Sequence, residues 1–369
     1  MISLSQILRQ NIFNIPGWRT DRHIIVIESD DWGSIRMPSL ETYNRLLHNG
    51  VKFNSYGYEQ FDTLASKDDL DRLFDLCKDF KDIHGNPIVI TANAVVCNPD
   101  FERIRESGYT KYYSEPITKT MQRYYPNSNP FISWKKGIDE NLFYPQLHGR
   151  EHVNVPLWLK SLRHDYPGAR IAFNSGVYSI IVDKSFDYRC KNTSALRYCG
   201  EDEWEIIEHS LVEAPDMFEQ LFGYKSKSFI APSFCWDRRI ENLLSRAGIK
   251  YLQGTPIHYY DNKRTFNFIG RRNQNGQIYL NRNVDFEVTQ NPNRDNVDLA
   301  MYQIHNAFSW HKPATISMHR INFIGALDVR NRDITLMQFR TLFEKITKQW
   351  PDVEFLDSRM LGDIIDKTY

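Results

Sequence analysis

Two adjacent aspartates, Asp30 and Asp31, follow the apolar run Ile24 to Ile27, with Glu28 and Ser29 between. The run is short and β-branched, and charge and Gly33 bound it, so it reads as a buried strand. In α/β sheets and barrels, ligands and catalytic groups gather at the C-terminal ends of strands. Like charges side by side raise each other's pKa unless a cation lies between them, so the pair asks for a metal. Taken alone, Asp-Asp is more often a turn and a helix N-cap. His148 and His152 are four apart. On a helical turn that spacing sets both imidazoles on one face, within reach of one ion. One aspartate and two histidines leave zinc an open position, the pattern of a catalytic site. The second aspartate is then free to accept a proton. His319 ends the late apolar strand 314–319, and imidazole titrates near neutral pH, as a general acid must. Arg320 and Asn322 follow it, placed to orient it or to bind substrate.

These residues need elements that bring them to one rim. Residues 1–22 read as an amphipathic helix and a lead-in closed by Pro16-Gly17. Helices are expected over 38–49, over 66–80 behind a Ser N-cap, over 155–164, over 203–222 with a kink near Pro215, over 238–247 and over 333–350. Strands are expected over 87–96, 142–147, 170–175, 228–233, 249–253, 314–319 and 353–356. Asn93 lies near the end of the run 87–96, at the same rim as the aspartates. Phe266–Ile269 and Gln277–Leu280 flank Asn273-Gln274-Asn275-Gly276 and read as an inserted hairpin. Residues 98–140, rich in Tyr and Trp, read as an irregular lid or binding loop. Strand and helix alternate about seven times, which predicts a parallel α/β fold, a distorted (β/α)7-type barrel. One domain over 23–369 is expected, with insertions at about 98–140 and 262–300.

The chain has 369 residues, 41% hydrophobic and 14% aromatic, ample for a barrel-sized core. Forty-six basic residues balance forty-six acidic ones, which argues against capture of nucleic acid or of an anionic membrane. The first ten residues lack the apolar core and cleavage site of a signal peptide, and no apolar run approaches spanning length. The cysteines Cys77, Cys97, Cys190, Cys199 and Cys235 form no Cys-x-x-Cys pair, and their number is odd. Reduced thiols in a cytoplasmic protein are the expectation.

Asp30-Asp31 at the end of the first strand, His148-x-x-x-His152, a strand running into Ala231-Pro232 and a terminal Ile316-Ser317-Met318-His319 resemble, in that order, the polysaccharide deacetylases (NodB-type, carbohydrate esterase family four). The resemblance spans roughly residues 23 to 357. It implies Asp30 as general base, Asp31, His148 and His152 as ligands of a divalent metal, zinc being the expected ion, and His319 as general acid. The backbone N–H of Ser233 would help bind the oxyanion. The implied reaction is removal of an acetyl group from an N-acetylated or O-acetylated sugar or polysaccharide by a metal-activated water. The third motif departs from the family. The arginine expected two residues before Pro232 is Ile230, and the tyrosine after it is Ser233. Arg150, Arg238 and Arg320 are candidates to replace that arginine. Trp236-Asp237 and the stretch Asn283 to Glu287 are candidates for the family's acidic motif, and Trp32 for an apolar wall of the site. Usual members are exported or anchored, so a cytoplasmic sugar intermediate is an expected substrate here.

Two other readings compete. His148-Gly149-Arg150-Glu151-His152 fits the His-x-x-Glu-His pattern of inverted zinc peptidases, which needs a continuous helix. The altered third motif also suits a catalytically weakened carbohydrate-binding protein of the same fold.

Overall fold

The structure is a computed structural model that describes residues 4–53, 57–166, 168–180, 192–260 and 263–368. Cys190 and residue 262, where the second insertion was expected to begin, lie outside the described residues. The strands are, in chain order, β1 Ile24–Trp32, β2 Ile90–Ala94, β3 Cys97–Pro99, β4 Ser114–Pro116, β5 Phe143–Leu147, β6 Ser228–Phe229, β7 Tyr251–Gly254, β8 Ile257–Tyr260, β9 Lys263–Phe266, β10 Ile278–Asn281, β11 Val284–Asp285, β12 Ala314–His319 and β13 Glu354–Leu356.

All nine residues of β1 are buried, as a strand covered on both faces must be. It pairs in parallel with β12 over Ile25 to Asp30. It pairs with β2 from Ile27 onward and with β13 over Ile24 to Val26. The main sheet runs β10-β7-β6-β5-β2-β1-β12-β11, every neighbour parallel. The two ends of that order are consecutive in the chain, with only Arg282 and Asn283 between β10 and β11. The three Cα steps from Asn281 to Val284 span about 11 Å at most, so the edges of the curled sheet come together there. The Arg282 N–H donates to the Gly254 carbonyl on β7, and the Asn283 N–H to the Thr315 carbonyl on β12. The result is the distorted α/β barrel that the alternation predicts.

Helices Lys67–Asp79, Pro130–Asp139, Asn296–Ser309 and Val329–Gln349 bury their apolar faces against the sheet in one large core. Ser66 caps the first of them in a reciprocal pair with Asp69. Trp32, Trp134 and Phe143 meet edge to face within that core. Helix Leu4–Asn14 docks beside Asn296–Ser309, where Asn14 Nδ2 donates to Asn306 Oδ1 at 2.8 Å. Among the described residues, no helix is long and apolar enough to cross a membrane.

Three expectations need correction. Residues 98–140 are not irregular: they hold the β3–β4 pair and helices Phe101–Glu106, Ile117–Tyr124 and Pro130–Asp139. Asp100 and Asn129 cap two of these helices, and Phe131 and Trp134 share a buried face. The aromatic residues are core, not a lid. Residues 170–175 are not a strand but belong to helix Ala169–Asn174. It buries Ala172 and Phe173 while Ile171 is exposed, a helical rather than an alternating pattern. The inserted hairpin is β8–β9, upstream of the expected place. The turn at Asn273 to Gly276 exists, but the strand after it, β10, is fully buried and pairs in parallel with β7. Residues 262–300 therefore contain two strands of the main sheet rather than a pure insertion.

Candidate active site

The C-terminal rim of the barrel opens into a cavity of about 560 Å³ whose lining includes Asp30, Asp31, His148, His152, Ser233 and His319. No residue of 98–140 reaches it.

The two aspartates reach the same cavity because the strand breaks its alternation. Pairing between β1 and β2 shifts register between Ser29 and Trp32, and Asp31 is left-handed at φ +71°. Aspartate tolerates that region better than most side chains. Trp32 is then turned into the core, where its indole N–H donates to Ser29 Oγ at 2.9 Å. It is no wall of the cavity, contrary to the expectation.

His148 and His152 are not on a helix. They lie on a tight turn after β5, bent at Gly149 with φ +90°. The turn is pinned by the His148 N–H on the Ala94 carbonyl, and the Arg150 carbonyl accepts from both Val96 and Cys97 N–H. Arg150 itself is paired with Glu151 and Glu213, and so is not the missing arginine. The helical frame that the peptidase motif needs is absent.

Asp31 Oδ1 stands 3.4 Å from His148 Nε2 and 3.0 Å from His152 Nε2. All three side chains are buried, and their ligand atoms lie within 4.8 Å of one another. His148 Nδ1 faces the Ile230 carbonyl at 2.9 Å and donates there, while its Nε2 is buried without a hydrogen bond. Burial, against the pull of Asp31, brings His152 down to about 4, so its ring is neutral at pH 7. The ligand atoms of Asp31, His148 and His152 thus converge on one small volume. Ligands of one tetrahedral zinc ion stand about 3.3–3.4 Å apart, given bonds of about 2.0–2.1 Å. The residues present fit such an ion. Burial acts to raise the Asp31 carboxyl, but His152, Arg36 and the histidine contacts hold it well below its ordinary value.

Asp30 faces Arg282, whose two terminal nitrogens reach its two oxygens at 2.6 and 2.7 Å. Arg282 Nε also donates to Glu28 Oε2 at 2.6 Å, and Ser358 Oγ donates to the other Glu28 oxygen. Burial opposes ionisation of Asp30, yet Arg282, with His319 and His148, holds its pKa below the ordinary carboxylate value. The arginine absent at Ile230 is supplied by Arg282. None of the three expected candidates fills that place. Arg238 opens a helix, and Arg320 is buried on Asp62 and the Ser34 carbonyl. Arg320 does not line the cavity, so it is a scaffold residue rather than a substrate contact. Asn93 does not line it either. Its Nδ2 donates to Asp30 Oδ1 and to Gln253 Oε1, each at 2.8 Å, which orients the carboxylate from below.

His319 lies across from Asp30, Nε2 to Oδ2 at 3.9 Å. Its Nδ1 is 2.5 Å from Glu287 Oε1, and Asn322 Nδ2 holds the other Glu287 oxygen at 2.8 Å. Burial acts to lower His319, but Glu287 and the two aspartates outweigh it and lift it to about 10. Glu287 is therefore the acidic partner. Trp236 stacks on His258 and Asp237 caps a helix, so that pair is not. Ser233 lines the cavity with left-handed backbone at φ +57°.

Sequence reasoning missed Arg36 and Tyr58. Arg36 Nη2 reaches Asp31 Oδ2 at 2.9 Å, and Arg36 stacks near the Tyr58 ring, which meets His319 edge-on. Neither sits in a pattern that a sequence marks. Arg282 did leave a trace, as a lone cation just after the apolar stretch 278–280.

No protein-family profile and no curated protein matches the sequence. Among solved structures, the chain is similar to a protein from Parabacteroides distasonis described as a glycoside hydrolase/deacetylase, with 8% identity over 96% of this chain and 74% of that one and a TM-score of 0.50. A protein from Mycobacterium smegmatis described as a polysaccharide deacetylase aligns over 96% and 93% at 10% identity and TM-score 0.47. Puue allantoinase aligns over 94% and 93% at 12% identity and TM-score 0.47. At this level of identity the likeness is one of fold: the chain shares the curled parallel α/β barrel of the Parabacteroides distasonis protein.

Proposed function

We propose that the protein is a metal-dependent deacetylase of an N-acetylated or O-acetylated sugar. One observation carries this reading: the Nε2 atoms of His148 and His152 converge on Asp31 in the cavity, and a second carboxylate and a charged imidazole flank them. Asp31, His148 and His152 would hold a divalent metal, zinc by the chemistry of the donor set, which supplies a Lewis acid for an acetyl carbonyl and acidifies water. Asp30, ionised and oriented by Arg282 and Asn93, accepts the proton of the attacking water. His319, protonated against Glu287, returns a proton to the departing nitrogen or oxygen. Its Nε2 and the Asp30 carboxylate lie on either side of one small volume, as opposite proton transfers on one intermediate require. The Ser233 segment lies on the cavity wall, where its N–H would meet the developing oxyanion. Arg282 on Asp30 supplies the cation whose absence at position 230 motivates the weakened-binder reading.

The test is metal analysis of the purified protein together with acetate release from acetylated sugars and sugar nucleotides. Stoichiometric zinc and acetate release that Asp30→Asn abolishes are expected. Metal-replete protein that frees no acetate from any of them refutes the reading.

A further inference from the structure

The carboxylate of Asp31 is divided between two kinds of partner. Its Oδ1 faces His148 Nε2 at 3.4 Å and His152 Nε2 at 3.0 Å. Its Oδ2 accepts from Arg36 Nη2 at 2.9 Å, and both of these side chains are buried. A carboxylate can give an ion one oxygen or both. Here a guanidinium charge stands at Oδ2 and repels a second cation from that oxygen.

Arg36 is not free to leave. Its Nε stands 3.6 Å from Asp62 Oδ2. Asp62 is held in turn by Arg320, Nε to Oδ1 at 3.0 Å and Nη2 to Oδ2 at 2.8 Å. Arg320 Nη1 also donates to the Ser34 carbonyl at 2.7 Å. The Met37 N–H donates to the Asp62 carbonyl at 3.1 Å, and the Ile35 N–H to Asn98 Oδ1 at 2.7 Å. The backbone is therefore pinned on both sides of Arg36. The centres of the Tyr58 and Tyr178 rings stand 5.4 and 5.8 Å from its Cζ, near enough for a cation–π contact with each. Tyr178 Oη lies 2.7 Å from Ser34 Oγ, which keeps that ring in place. A planar guanidinium with carboxylates at its edge and aromatic rings beside it has little room to turn.

The groups that hold a ligating carboxylate from behind set how it is presented to the ion. With three single-atom protein ligands, a four-coordinate ion keeps one place for water or substrate, and a chelating Asp31 would fill it. The charge of Arg36 also offsets that of Asp31, which leaves a divalent ion more of its own charge for polarising a carbonyl. We propose that Arg36 is a positioning residue of the metal site: by holding Asp31 Oδ2 it confines the carboxylate to the single donor Oδ1, and so keeps a coordination place open for water and substrate. The inference rests on the metal-site part of the deacetylase reading and not on its acetyl chemistry.

The full chain and its Arg36→Met variant are loaded with zinc or with cobalt(II), whose visible absorption weakens as its coordination number rises. Both proteins should bind the ion stoichiometrically. In the variant the freed Oδ2 should join the ion, so the cobalt band should fall at least about twofold, and kcat/KM for acetate release by about 10–100-fold, with zinc retained. A crystal structure of the zinc-loaded wild type should show Asp31 bound through Oδ1 alone, with Oδ2 on Arg36. An unchanged cobalt band in Arg36→Met overturns the proposal. So does loss of the ion from a variant whose circular dichroism stays native, since an added donor should not release it. If Arg36→Met does not fold, the zinc-loaded wild type decides, and both Asp31 oxygens on zinc overturn the proposal. The expected metal readouts without acetate release refute the deacetylase reading and leave Arg36 in this role. Acetate release by the wild type with an unchanged band in the variant does the reverse. A wild type that binds neither ion overturns both.

Discussion

Replacing Arg282 by methionine removes the guanidinium while roughly keeping the length of the side chain. In the native barrel it serves two carboxylates that are almost fully buried, Asp30 and Glu28. Without it both charges are stranded, and breaking a buried pair in this way costs about 3–5 kcal/mol. A second route gives the same magnitude. Asp30 is held below its ordinary pKa, so its contribution to stability is present above about pH 4 and is lost as the pH falls. In Arg282→Met the escape for Asp30 is protonation, while Glu28, already raised by burial, keeps its hydrogen bond from Ser358. At about 1.36 kcal/mol per pH unit above a pKa of about 3.9, protonating Asp30 costs about 4 kcal/mol at pH 7 and about 1.5 kcal/mol at pH 5. The loss should therefore shrink as the solution becomes more acidic, the reverse of what a packing defect does. Urea unfolding of wild type and variant in the presence of a chelator, at both pH values, reads it directly. A loss below about 1 kcal/mol at pH 7, or one of equal size at both pH values, refutes this account of the base.

The remaining expectations concern the ligands, the acid and the core. His148→Ala and Asp31→Ala should each lose stoichiometric zinc on dialysis, and retention of metal by Asp31→Ala would remove it from the ligand set. Glu151→Gln should keep most acetate release, because Glu151 is engaged with Arg150. Loss of activity in Glu151→Gln would revive the peptidase reading. Glu287 lifts His319 to about 10, so the protonated acid is retained through neutral pH and lost as the pH rises through that value. Glu287→Gln should draw the alkaline limb of the kcat/KM profile down by at least about one pH unit, and an unmoved limb would detach Glu287 from the acid. A Cβ at Gly137 would stand 2.6 Å from Phe74 Cζ and 2.9 Å from Phe143 Cβ. Gly137→Ala should lower stability by about 1–3 kcal/mol, read as a lower Tm.

Patterns along the chain carried the barrel well and the second layer of the site poorly, for physical reasons. β1, β5 and β12 were legible because an apolar run that stops at a charged or polar residue marks a buried strand and its rim. Asp30, Asp31, His148, His152 and His319 lie at or just past such stops, and the structure gathers all five on one cavity. What was lost depends on long-range pairing. Arg282 meets Asp30 across 252 positions, and Arg320 meets Asp62 across 258. No local period reports either partner. The region 98–140 was misread because short helices capped by Asp100 and Asn129 present too few turns to show a period. The histidine turn shows the opposite case. The backbone there is a turn rather than a helix, and the two rings still meet, because Gly149 bends the chain back within four residues.

The position of Arg282 ties closure of the barrel to the reaction centre. The two open edges of the sheet, β10 and β11, are joined through Arg282 and Asn283 alone. At that seam the backbone of one residue pairs with β7 and that of the next with β12. The side chain of the first points inward to Glu28 and Asp30 on β1, the strand beside β12. An arginine at position 230 would sit just beyond β6, on the other side of β7 from the seam. Placed at the seam, the guanidinium holds Asp30 and also ties the closing strand to β1. The same contact then orients Asp30 and resists opening of the barrel, so a neutral residue at 282 should weaken both together. Restoring charge from the older position, as in Arg282→Met with Ile230→Arg, separates the two roles. Recovery of acetate release without recovery of stability would assign the seam a structural duty beyond the base. Recovery of both would show that any cation facing Asp30 suffices.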